Sequence, residues 1–230
     1  MNLHTTATLL GFGREFNDLF WTMRNRKVSE FKPIHDETRS IFVHVPKTAG
    51  VSFHRAMYDK SRDYGHAPAV AFRHRDPERF AAYWKFAFMR DPVDRFISAF
   101  YYLTTNPHNP RDAAYGQEHF VKYGTVSNLV AEMQKPATRA KVMSWVHFLP
   151  QSYYLCDAKG NVLVDDIFRT TEFDAALPVI AERLGVEFTP SRENVSRRTR
   201  EGELNAEEQA FVERLYHDDR RVFEQSTRSP

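Results

Sequence analysis

The block Ile41-Phe42-Val43-His44-Val45, running without spacer into Pro46-Lys47-Thr48-Ala49-Gly50-Val51-Ser52, constrains the fold of this chain more than any other stretch. Uninterrupted β-branched and aromatic residues predict a buried strand. From Val51 to Tyr58, apolar Val51, Phe53 and Met57 are interleaved with Ser52, His54 and Arg55, a helical pattern, so strand, short loop and helix follow in order. A second such unit spans Trp84 to Leu103. There Phe86-Ala87-Phe88-Met89 reads as strand, Arg90-Asp91-Pro92 as turn, and Val93, Phe96, Ile97, Phe100 and Tyr101 as the apolar stripe of a helix. Two strand–helix units predict an α/β fold, a three-layer sandwich whose central, mostly parallel sheet is flanked by helices.

The rest of the chain fits around that core. Residues 1–40 read as an N-terminal helical extension. Thr104 to Gly124, with Asn106-Pro107-His108-Asn109-Pro110, reads as a loop or lid, and Asn128 to Phe148 as helix broken near Pro136. Val162 to Phe168 predicts another strand, followed by a helix from about Phe173 that stops at Gly185. The last helix starts at Asn205, whose side chain can cap the turn reached by Glu208. No repeat, low-complexity tract or flexible linker divides the chain, so its 230 residues are expected to form a single domain.

Composition narrows the function classes. With 32 Lys and Arg against 30 Asp and Glu, the chain carries a formal +2, which argues against a dedicated nucleic-acid binder. Any anion must be gripped locally. The single Cys156 rules out an intramolecular disulfide and a cysteine-based zinc site, and the ten histidines show no metal spacing. Met1 to Phe20 lacks the pattern of a signal peptide, and no window resembles a membrane span. The protein is therefore expected to be soluble and cytoplasmic, without a metal.

The loop Pro46 to Ser52 supplies the first chemistry. Small residues let the backbone curl, and the N–H groups of the next helix's first turn point into it with the positive end of the helix dipole behind them, which makes a phosphate cradle. Lys47 adds a mobile charge, and Thr48 and Ser52 add hydroxyls. The order differs from G-x-x-x-x-G-K-[ST], because Lys47 precedes Gly50 and no first glycine exists, which disfavours Mg²⁺-dependent triphosphate chemistry. Arg90 ends the second strand and Ser98 lies two turns into its helix. Both can reach the same carboxyl edge of the sheet, where ligands of open α/β sheets bind.

Together, Pro46-Lys47-Thr48-Ala49-Gly50-Val51-Ser52 and Arg90-Asp91-Pro92-Val93-Asp94-Arg95-Phe96 with Ser98 resemble the P-loop-like sulfotransferases that use 3′-phosphoadenosine 5′-phosphosulfate (PAPS). The resemblance is strongest to the carbohydrate branch, sulfotransferase family 2, which contains the heparan and chondroitin enzymes. It extends to His147-Phe148-Leu149-Pro150-Gln151, Asp166-Ile167-Phe168-Arg169, Asn194-Val195-Ser196-Arg197-Arg198 and Tyr216-His217-Asp218-Asp219. Val51 departs from it, standing where a small polar residue is frequent.

The resemblance implies that Lys47 to Ser52 hold the 5′-phosphosulfate, that Arg90, Ser98, Arg197 and Arg198 hold the 3′-phosphate, and that Lys47 stabilises the leaving group. It also implies a hydroxyl acceptor, a saccharide; because a nucleotide-binding core takes up most of 230 residues, the acceptor is expected to be recognised by short insertions such as Thr104 to Gly124. His66, in Tyr64-Gly65-His66, resembles the base of uronyl 2-O-sulfotransferases. His74, Asp76 and Glu78 are its rivals, and His147, less favoured as the base, is expected to contact the acceptor. Tyr101, Tyr102, His108 and Tyr115 could shape the acceptor cleft. Two other classes stay open on the residues: a P-loop-like nucleotide kinase, and a non-catalytic binder of phosphorylated ligands.

Overall fold

The computed structural model describes residues 31–57, 65–187 and 203–226. A short helix, α1 (Pro33–Thr38), leads into β1 (Ser40–Phe42), and α2 (Gly50–Met57) follows the loop. Two helices, α3 (Ala69–Arg75) and α4 (Pro77–Ala82), lead into β2 (Trp84–Met89). Next come α5 (Pro92–Thr105), α6 (Pro110–His119), α7 (Val126–Glu132), α8 (Pro136–Met143) and α9 (Gln151–Leu155). Then β3 (Asp166–Arg169) precedes α10 (Phe173–Leu184), α11 (Ala206–Leu215) and α12 (His217–Gln225).

The three strands lie in the order β1-β2-β3 and both pairs are parallel, with Phe42 opposite Phe86 and Phe88 opposite Phe168. Period-two alternation decides the layering. Phe86 and Phe88 face one side, packed with Phe53 and Met57 of α2 and Phe173, Leu177 and Ile180 of α10. Ala87 and Met89 face the other, with Phe72 of α3, Tyr154 and Leu155 of α9 and Val222 of α12. Phe86 and Phe88 are fully buried. Each such phenylalanine contributes roughly 2–3 kcal/mol of hydrophobic stabilisation. A third cluster joins Phe96, Phe100 and Leu103 of α5 to Leu129 and Val130 of α7, Val142 of α8 and Phe211 and Val212 of α11.

Several expectations shift. The first ladder covers only Ser40–Phe42, although Val43 still donates its N–H to the Phe86 carbonyl at 2.9 Å. His44 and Val45 have already left the sheet for the loop. Val162 makes an isolated antiparallel bridge with Cys156, and β3 begins only at Asp166. The largest correction concerns 104–124, which is mainly helix: α6 is followed by a 3₁₀ turn at Val121–Tyr123. Asn109 caps α6 by accepting the Asp112 N–H at 2.8 Å, and Pro110 occupies its first turn. A β-carbon on Gly116 would lie 2.0 Å from the Leu103 carbonyl oxygen, so α6 touches the end of α5 where only glycine fits. The break at Pro136, the stop at Gly185 and the Asn205–Glu208 capping box are as expected. Of the N-terminal extension, residues 1–30 lie outside the described residues.

Candidate active site

A cleft of about 1440 Å³ opens at the carboxyl ends of all three strands. From β1 come Pro46, Lys47, Ala49, Gly50, Val51 and Ser52; from β2 and α5, Arg90, Asp91, Asp94 and Ser98. The stretch after β3 adds Thr170 to Ala175, which the sequence reading did not assign to the site. Tyr102, His108, Asn109, Arg111 and Asp112 form another wall with Trp145, Val146 and His147, and His66 completes it.

The loop is held from beneath. Lys47 and Ala49 have φ of 69° and 63°, left-handed values that L-residues adopt at a cost of about 1–2 kcal/mol each. The fully buried guanidinium of Arg95 offsets this by donating from Nε to the Pro46 carbonyl at 2.9 Å. Thr48, expected to offer its hydroxyl to a ligand, is instead buried and donates that hydroxyl to the Val45 carbonyl at 2.9 Å. Only its backbone can serve the cradle. Gly50 starts α2 against the His44 imidazole, where an added β-carbon would sit 2.0 Å from Cδ2. The half-exposed Val51 and Ser52 then line the cleft at the first turn of α2.

Arg90 is positioned through its backbone. The Gln151 amide accepts the Arg90 N–H at 3.1 Å and donates to the Arg90 carbonyl at 2.8 Å. Gln151 is fixed in turn, because the buried Asp219 accepts the N–H groups of Gln151 and Ser152 at 2.7 and 2.8 Å. Burial pushes the Asp219 carboxyl up, and Arg95 and those two N–H groups oppose the rise. Asp91 caps α5 through the Val93 and Asp94 N–H groups and pairs with Arg220 at 2.8 Å. Sequence reasoning did not single out Arg95, Gln151 or Asp219 as site supports. All three nevertheless sit in segments that carry the resemblance.

His66 Nδ1 lies 2.9 Å from the His44 carbonyl. A carbonyl only accepts, so Nδ1 carries the proton and Nε2 is the basic nitrogen of the neutral ring. The His66 ring is 4.3 Å from that of His44 and 6.2 Å, edge-on, from that of His147. His44 is driven well below the ordinary histidine range by burial and by the neighbouring His66, His54 and His147. The rivals His74, Asp76 and Glu78 do not line the cleft, and Asp76 caps α4 through the Arg79 N–H.

The opposite wall is a hydrogen-bonded hub. The buried Asp112 accepts from Tyr102 Oη at 2.8 Å, from Asn109 Nδ2 at 2.7 Å and from His147 Nε2 at 2.9 Å. Burial pushes the Asp112 carboxyl up, but those hydrogen bonds outweigh it and hold the group at about 2. Burial lowers the His147 pKa, Asp112 opposes the fall, and Lys47 and Arg95 add to it. Lys47 Nζ lies 3.8 Å above the centre of the Tyr102 ring. Tyr102 and His108 line the cleft as expected and Tyr101 does not; Tyr115 reaches it only through its stack on Trp145, with ring centres 3.5 Å apart.

Lys47, Ser52, His66, Arg90 and Ser98 thus meet in one cleft. Arg197 and Arg198 lie outside the described residues. Among the described residues no His, Cys, Asp or Glu cluster could hold a metal, and no helix is long and apolar enough to cross a membrane. A family model described as the sulfotransferase family matches residues 34–229. No curated protein and no solved structure matches the chain.

Proposed function

The chain belongs to the sulfotransferase family, and from that premise we propose that it moves a sulfuryl group from PAPS to a hydroxyl of a carbohydrate acceptor by in-line displacement. One observation carries the reading: Lys47 and Ser52 on one strand end, and Arg90 and Ser98 beyond the next, line a single cleft large enough for a nucleotide and an acceptor. The donor has two separated anionic groups, and among the cationic side chains that line the cleft Lys47 comes from the loop after β1 and Arg90 from the end of β2, while Arg111 stands on the α6 wall. The cradle at the start of α2 and Lys47 suit the 5′-phosphosulfate; the planar fork of Arg90 and the Ser98 hydroxyl suit the 3′-phosphate. Arg197 and Arg198 are proposed to join the latter.

In the proposed reaction the acceptor oxygen forms a bond to sulfur as the bond from sulfur to the bridging phosphate oxygen breaks. The acceptor proton passes to His66 Nε2. Negative charge collects on the departing phosphate, where Lys47 stabilises it more in the transition state than in the ground state. His66 suits the base because the His44 carbonyl fixes its tautomer.

Transfer of label from ³⁵S-PAPS to a glycan pool tests the reading. Wild type is expected to give labelled product and 3′-phosphoadenosine 5′-phosphate (PAP), and Lys47→Ala to lower turnover by about 10²–10³. Equal turnover in the variant would remove Lys47 from the mechanism. Transfer from ATP with Mg²⁺ and none from PAPS would make the protein a kinase.

A further inference from the structure

Helix α5 carries Arg95, Ser98 and Tyr102 at spacings of three and four residues, which places them along one face of the helix. Ser98 and Tyr102 line the cleft, and Arg95 reaches the loop between β1 and α2. That face meets Lys47 at both of its ends. At the backbone, the buried Arg95 donates from Nε to the carbonyl of Pro46, in the peptide that leads into Lys47 and its left-handed φ of 69°. At the head, Lys47 Nζ lies 3.8 Å above the centre of the Tyr102 ring, well inside the reach of about 6 Å over which an aromatic face attracts an ammonium.

The ring is itself fixed. Tyr102 Oη donates to Asp112 at 2.8 Å and accepts the His108 N–H at 3.1 Å, so the residues that open α6 set its plane. His147 meets it edge-on, with ring centres 4.8 Å apart. Burial pushes the phenol up to about 12, so near neutral pH the ring acts through its π face and not as a phenolate. A lysine side chain left to itself samples many rotamers, and a reaction that needs its charge beside one oxygen must first order it. A ring face orders the ammonium without supplying a counter-charge of its own, so it does not oppose the action of that charge on a departing phosphate.

We propose that Tyr102 is a positioning residue for the leaving-group step: its ring holds the Lys47 ammonium ready for the departing phosphate, while Arg95 of the same helix face holds the lysine's backbone. The inference rests on the sulfotransferase reading and deepens it, because a tyrosine expected only to shape the acceptor cleft takes a part in the donor chemistry. The cradle and Arg90 bind the nucleotide, so loss of the ring lowers turnover and leaves PAP affinity alone.

Two measurements on the full chain test it. In the first, the protein carries lysine labelled with ¹³C at Cε, and the Lys47 signal is assigned by its absence from Lys47→Arg. Groups above an aromatic ring are shielded. An upfield signal is therefore expected in wild type and in Tyr102→Phe, which keeps the ring, and an ordinary one in Tyr102→Leu. An unshifted signal in wild type would overturn the contact. In the second, transfer from ³⁵S-PAPS to a glycan pool is followed in these variants and in Lys47→Ala, with PAP affinity measured by calorimetry. Tyr102→Leu is expected to lower kcat about tenfold at unchanged PAP affinity, Tyr102→Phe to keep most of the turnover, and Tyr102→Leu to cause no further loss in the Lys47→Ala background. Losses that multiply in the double variant would mark a role on the acceptor wall or in folding and overturn the proposal. So would a wild-type kcat in Tyr102→Leu, or a tenfold fall in Tyr102→Phe. A shielded Lys47 signal in a wild type that binds PAP yet transfers no label would bring down the sulfotransferase reading, and the positioning role with it.

Discussion

Gly50 is where the proposed donor cradle and the proposed base share a boundary, because the His44 ring forbids it a β-carbon while the backbone carbonyl of His44 accepts from His66. Gly50→Ala is expected to push the ring aside and weaken PAP binding by at least about tenfold, measured by calorimetry. The pair Gly50→Ala/His44→Ala should recover part of that loss, since the clash is with the imidazole. At His66 the expectation is a split: His66→Ala lowers turnover by about 10²–10⁴ and leaves PAP affinity unchanged, and near-normal turnover would exclude it as the base. The place of Lys47, Ser52 and Arg90 in the cleft was legible because each stands at a strand end or in the turn after one, that of Ser98 because it lies two turns into the next helix, and that of His66 only through the resemblance of Tyr64-Gly65-His66. The buried turn of Thr48 was not, since a threonine in a curled loop reads alike whether it faces ligand or backbone. Nor was the bond between His147 and Asp112, which joins residues 35 apart in sequence.

At the scale of elements, α9 positions Arg90 through Gln151, and Asp219 of α12 positions α9. Gln151→Ala is expected to raise the PAP Kd about fivefold, as one net hydrogen bond would, with Arg90 itself intact. Unchanged affinity would show that the clamp does not act on the donor site. The contact of α5 with α6 makes a separate prediction: Gly116→Ala should destabilise the fold by about 1–3 kcal/mol in urea unfolding, because the obstructing Leu103 oxygen is backbone and cannot swing away. The helix α6 was misread because the two prolines at 107 and 110 suggested a loop. Asn109-Pro110 is also a helix start, and Asp112 at the third helical position completes that signal. The parallel order and the helices on both faces were legible in the unbroken apolar runs. The shortness of β1 was not, because Val43 and Val45 are β-branched like Ile41 and continue the run past Phe42.

Across the whole molecule, buried histidines set the response to acid. Burial lowers His35 from an ordinary 6.5 to about 4 and drives His44 well below that ordinary value. Below pH 6.5 the unfolded chain therefore binds more protons than the folded one, so stability is full above that pH and declines as pH falls toward 4. Asp112, held at about 2 against an ordinary 3.8, adds a further loss as pH falls through that lower range. Urea midpoints should thus be level from pH 8 to 7 and lower at pH 5; a midpoint unchanged at pH 5 would contradict the burial of these imidazoles. The formal charge of +2 spread over 230 residues gives no bulk attraction for anions, and the cleft gathers cationic side chains locally, Lys47 beyond the end of β1 and Arg90 at the end of β2, with Arg111 on the α6 wall. The central claim is that these two ends were built for a nucleotide carrying separate 3′- and 5′-anions. Calorimetric titration of the wild-type protein with PAP and with ATP–Mg²⁺ tests it most directly: the account predicts saturable 1:1 binding of PAP, weakened about tenfold or more in Arg90→Ala, and little binding of ATP–Mg²⁺. Binding of ATP–Mg²⁺ without binding of PAP would contradict it.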